Sequence, residues 1–107
     1  MALTRKNLAF GQLPAAKGDL YVAPGDTKGF VHNILVHNIG GVAEIVDLYY
    51  HDGVSEFLIF KMTISSNETV LVDFIGEGFV VEATKKITGN TTTAATVTYK
   101  IDGTEES

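Results

Sequence analysis

Every imidazole in this chain lies in one stretch, VHNILVHNIGGVAEIVDLYYHDG, residues 31–53, as His32, His37 and His51. Histidine is the commonest metal ligand among the side chains, so a metal centre is the first chemistry to weigh. The spacing argues against it. Residues five apart on a regular strand point to opposite faces, so His32 and His37 cannot share an ion unless a bulge intervenes. His51 sits beside Asp52 at a strand end, where a His-Asp pair also serves an ordinary turn.

Other catalytic constellations fare no better. β-sandwich enzymes of the cupin type set two histidines two residues apart with a carboxylate soon after, and here the nearest acid, Glu44, lies beyond Gly40-Gly41. The chain has no cysteine, which removes thiol nucleophiles, thiolate metal sites and disulfides together. Ser55, Ser65 and Ser66 occupy turn-like positions without the Gly-x-Ser-x-Gly elbow of a hydrolase. Glu44, Asp47, Asp73 and Glu82 fall on expected strands, but a glycosidase pair needs a cleft that a thin sandwich has little room for. Asp47, Asp73 and Glu82 alternate with apolar neighbours, as a solvated face does. The triplets Asn67-Glu68-Thr69 and Asn90-Thr91-Thr92 fall in expected turns, where asparagine is favoured for its own backbone reasons. The expectation is no enzymatic activity, no metal and no cofactor.

The elements that would hold these residues are strands. Apolar and polar residues alternate in short runs separated by turn residues, the period-2 signal of half-buried strands. In residues 95–102 Ala95, Val97, Tyr99 and Ile101 face one way, and Thr96, Thr98, Lys100 and Asp102 the other. Further strands are expected at 19–24, 28–38, 42–52 (core face Val46, Leu48, Tyr50), 55–64, 68–75 and 79–85. Gly89-Asn90 marks a turn into a threonine-rich loop, 89–96. Seven or eight strands at this spacing predict an all-β fold, a single antiparallel β-sandwich. ILV, FLIF, VLV and FVV are apolar on consecutive residues, so some strands carry apolar area on both faces. Small monomers rarely expose such area, which points to a homo-oligomer or an obligate partner.

At 107 residues there is room for one domain. Residues 18–107 are assigned to the sandwich and residues 1–17 to an N-terminal arm or edge segment. The arm carries Leu3, Arg5, Lys6, Leu8, Phe10 and Leu13, expected to anchor on a partner. No apolar run approaches the ~18 residues of a membrane helix, and the first residues lack the apolar core of a signal peptide, so no membrane partner and synthesis in a cytoplasm are expected. Net charge is −5, which a phosphate backbone would repel; nucleic acid is not an expected partner.

In order, the landmarks are GQL, LYVAP, a strand ending ILVHN, VDLYYHDG, ISSNETVLV, GEGFVVEAT and ATVTYKIDGTEE. This order resembles small virion proteins of tailed bacteriophages, over roughly residues 8–106, with a longer apolar N-terminal lead and an unusual histidine cluster as departures. The resemblance implies a jelly-roll-like sandwich and a decoration or cement role on the capsid exterior. The implied partners are the major capsid protein and copies of the chain itself, as dimer or trimer, the protein being made in the host cytoplasm. A tail, fibre or baseplate recognition module, or a carbohydrate-binding sandwich, is the alternative, although the chain has no tryptophan for a sugar platform.

Overall fold

Alternating side chains let a strand bury one face, and the described residues form nine strands. The computed structural model describes residues 3–74 and 78–106, with the side chains of residues 3–6 outside the described set. In chain order the strands are β1 (Leu3–Gln12), β2 (Gly18–Val22), β3 (Lys28–Asn38), β4 (Glu44–His51), β5 (Glu56–Ile64), β6 (Thr69–Asp73), β7 (Phe79–Val81), β8 (Lys86–Thr91) and β9 (Val97–Glu106). The first sheet runs β1-β9-β3-β6, with β7 also on β3, and the second runs β2-β8-β4-β5.

β6 pairs with residues 33–37 of β3 and β7 with residues 29–31, so the two behave as one broken strand on that edge. Counted once, it leaves eight strands nested in antiparallel pairs: β1 with β9, β2 with β8, β3 with β6/β7, and β4 with β5. The nesting is that of one long hairpin rolled up around its β4–β5 tip, which is a jelly roll of two packed sheets. Between the sheets, Val31, Ile34, Val36, Val97 and Ile101 meet Leu20, Val46, Leu48 and Ile87, all buried in one core.

Four local expectations need correction. Residues 3–12 are no free arm; they pair with β9 along their length as the edge of the first sheet, and Leu13 behind them is fully buried. The strand expected over 79–85 stops at Val81, where the turn Glu82–Lys85 closes through the Lys85 N–H to the Glu82 carbonyl at 2.9 Å, with Thr84 at φ 69°. Gly89-Asn90 is no turn but the middle of β8, between β2 and β4. A Cβ on Gly89 would stand 2.9 Å from both Leu20 Cδ1 and Leu48 Cδ2, so this glycine leaves room for the side chains of the two flanking strands of its own sheet. The real turn lies at residues 92–96, and Ala95 belongs to it with φ 62° instead of leading β9.

Candidate interaction surface

The bulge that would change the reading of the histidines is present. The register of β3 on β9 slips between Val31 and Asn33. Burial changes phase with it, Val31 facing the core before the slip and Ile34 and Val36 after it. His32 and His37 therefore share the outer face of the first sheet, where opposite faces were expected. They remain about 15 Å apart along the strand, and each has a local partner. His32 Nε2 is 3.0 Å from Thr104 Oγ1, and His37 Nδ1 is 2.6 Å from Thr69 Oγ1. His51 ends β4 in the other sheet, its Nδ1 accepting the Gly53 N–H at 3.0 Å. Among the described residues, no three His, Asp or Glu side chains come together as metal ligands.

The strand carboxylates do not converge either. Asp47 pairs with Lys61 at 3.1 Å on the outer face of the second sheet, and Glu82 with Lys28 at 3.8 Å on another strand end. Glu44 is buried and holds the threonine turn: its Oε1 accepts the Thr93 N–H at 2.7 Å and the Thr96 hydroxyl at 3.1 Å. Asn38 does the same for the neighbouring loop, donating to the Val42 and Ile64 carbonyls and accepting the Gly40 N–H. Glu56 accepts hydrogen bonds from the Thr88 hydroxyl and Lys17, which hold its carboxyl below the usual range. Backbone N–H groups of Ser55 and Val54 do likewise for Asp52 in the turn after β4. These charged groups serve as caps, clamps and surface pairs.

The tyrosines offer no open ring. Tyr21 is buried and donates to Glu105 Oε2 at 2.7 Å; burial first, then that bond, pushes its phenol well above the ordinary value. Burial also raises Tyr99. Lys17 Nζ covers the ring of Tyr49 at 4.3 Å, and Tyr50 meets Phe79 edge-on at 5.5 Å. A sugar platform requires a bare aromatic face, and these four are taken.

What the surface does present is apolar. Across the outer face of the first sheet, register aligns Phe10 (β1), Lys100 (β9), Leu35 (β3) and Leu71 (β6) in one row. Phe10 is 75% exposed and Leu71 57%. On the free edge of the second sheet, β5 exposes Phe57, Leu58 and Ile59 in succession, next to Val54 in the preceding turn. Of the six anchors expected from sequence, Phe10 alone is fully available among those whose side chains are described. Leu8 packs half-buried against the core and Leu13 is inside it. Leu3, Arg5 and Lys6 have side chains outside the described residues. The sequence signal for β5 was its FLIF run; nothing in it distinguished an edge from a central strand.

No protein-family model matches the chain, and no curated protein matches it. Among solved structures it is similar to "Structure of infectious bursal disease virus Gt strain", with a TM-score of 0.42 and 9% identity. That alignment covers 97% of this chain and 30% of the other, so the chain spans under a third of the length of the structure it matches.

Proposed function

We propose that this chain is a virion structural protein, specifically a decoration or cement protein binding the outside of a tailed-bacteriophage head. The observation that carries the reading is the row Phe10–Lys100–Leu35–Leu71, apolar area laid across a sheet face that would otherwise be solvated. A partner surface that covers the row recovers about 25 cal/mol for each Å² of apolar area removed from water. The order of strand landmarks, similar to that of small phage virion proteins, supports the same reading.

Such a protein needs complementarity and no chemistry, which suits side chains engaged in caps and local pairs. If it binds the assembled lattice and not its dissociated parts, it stabilises the shell by RT ln(1 + [L]/Kd) at each site. A net charge of −5 favours a place outside the shell, away from packaged nucleic acid. The partners on this reading are the major capsid protein and further copies of the chain, with no nucleic acid, membrane or cofactor and no catalysed reaction. The covered faces of the tyrosines leave a carbohydrate-binding module the exposed rings of Phe10 and Phe57 among the described residues.

The test is co-sedimentation with empty heads of its phage, comparing the natural chain with a Phe10→Lys, Leu71→Lys variant. Both positions are exposed, so the variant should fold while losing its hold on the head. Deleting residues 1–13 would not serve, because it removes β1 and takes Leu13 out of the core. A natural chain that stays in the supernatant with intact heads ends the proposal; one that pellets with separated tails instead moves it to a tail component.

A further inference from the structure

The two sheets have four edges, β6 and β7 sharing one, and bulges, short strands and interruptions of the kind that discourage pairing with another chain occur along them. β1 carries a bulge between Asn7 and Ala9. β2 has five residues and a bulge of its own. β6 and β7 are short and interrupted. β5 runs nine residues with an irregularity of its own at Ile59, and what sets it apart is three exposed apolar residues in succession, Phe57–Ile59.

We infer that β5 is a self-pairing edge: two copies join antiparallel through it, making one continuous eight-stranded sheet from two second sheets. The sequence of the strand, Glu56-Phe57-Leu58-Ile59-Phe60-Lys61, reads acid, aromatic, aliphatic, aliphatic, aromatic, base. Turned about its midpoint it is its own complement. Phe57 then lies opposite Phe60 of the second copy, Leu58 opposite Ile59, and Glu56 opposite Lys61, with no like charges opposed.

The register is decided by a local irregularity. A two-fold axis normal to a sheet sets residues of the same face opposite each other, which a regular six-residue strand could not satisfy about its midpoint. Here Ile59 is an extra residue, because Phe60 pairs with Leu48 while Leu58 pairs with Tyr49. That shift puts Phe57 and Phe60 on the inner face, opposite Tyr50 and Leu48, and Glu56, Leu58 and Lys61 on the outer one. Slipping one residue either way sets Glu56 against Phe60, or Lys61 against Phe57, with faces mismatched. Glu56 keeps Lys17 and Lys61 keeps Asp47 within each copy, so the joint rests on the four apolar residues and on backbone pairing, with the charges excluding wrong registers.

Phe57, Leu58 and Ile59 offer on the order of 300 Å² of apolar side chain per copy, well short of the ~800 Å² each partner gives a standard interface. The pair is therefore weak in dilute solution and strengthens when a scaffold holds copies close together. The inference rests on the reading of the chain as a self-associating structural protein, and not on which particle it joins.

Sedimentation velocity of the full chain from about 1 µM to about 1 mM reads the association directly. The natural chain should shift from monomer to dimer across that range, while Leu58→Lys stays monomeric with an unchanged thermal midpoint. Because the chain has no cysteine, register can be read by oxidation: Leu58→Cys mixed with Ile59→Cys should crosslink, and either alone should not. A natural chain monomeric throughout, a dimer indifferent to Leu58→Lys, or equal crosslinking by Leu58→Cys alone would each overturn the inference. None of these results bears on head binding, which the co-sedimentation assay reads separately.

Discussion

Replacing Gly89 with alanine tests whether close packing by Leu20 and Leu48 of the flanking strands, and not turn formation, explains that glycine. The added Cβ would lie 2.9 Å from methyls of Leu20 and Leu48 and 3.0 Å from the Asp47 carbonyl oxygen, where ordinary contact begins near 3.4 Å. Neither leucine can swing clear, since both are buried in the core, and the carbonyl belongs to the β4 backbone. Overpacking of this kind costs about 1–3 kcal/mol. Removing a strand glycine returns about 0.5–1 kcal/mol through the unfolded chain, leaving a net loss of about 1–2 kcal/mol. For a domain of this size that lowers Tm by about 5–15 °C. Denaturant unfolding should show a lower midpoint at unchanged slope. Gly25→Ala, with no atom within 4 Å of its added Cβ, is the control and should fall within about 0.5 kcal/mol of the natural chain. If Gly89→Ala matches or exceeds the natural Tm, the spacing argument is wrong.

Leu13→Ala should cost about 2–5 kcal/mol in chemical denaturation, as a fully buried leucine does, whereas Phe10→Ala three residues earlier should cost far less. Glu44→Ala strands the Thr93 N–H, while the Thr96 hydroxyl keeps the Thr93 carbonyl, a loss of about 1–3 kcal/mol, and amide exchange at Thr93 should accelerate. Asp52 and Glu56 have depressed folded-state values, so their stabilisation is present above the ordinary carboxylate range and is lost as pH falls through those values. Tm should fall on acidification below about pH 4, with a shallower slope in Asp52→Asn. Tyr21 and Tyr99 are raised, so stability should also fall as pH rises past about 10, where the unfolded chain ionises first.

The parts of the fold legible in the sequence were those where alternation ran unbroken. β3 occupies residues 28–38 as its pattern indicated, and β9 alternates from Val97 to Ile101 with Val97, Tyr99 and Ile101 inward. Reading failed where a local residue type pointed one way and the packing another. KITGNT carries two strong turn formers, yet it is an interior strand because only glycine fits between Leu20 and Leu48. LTRKNLAFGQ hides its period because the strand bulges at Leu8, so the segment reads as arm or as edge. The bulge at His32 left no mark in the histidine spacing. Its trace is Gly103 on the facing strand, where a Cβ would collide with the Phe30 carbonyl oxygen. For the surface, FLIF showed apolar area in excess of one buried face, but its place at a border came only from the sheet order.

The nesting of the strands also dictates the order of assembly. β9, the last of the described strands in chain order, sits between β1 and β3, so the first sheet stays split until β9 has been made and inserts. Folding must wait on that insertion and will be slow, on the millisecond-to-second scale of β-proteins built from distant pairings. Until the wedge closes, Val31, Ile34 and Val36 lack the neighbours that cover them, and nascent chains side by side on one message are most at risk of joining each other's sheets.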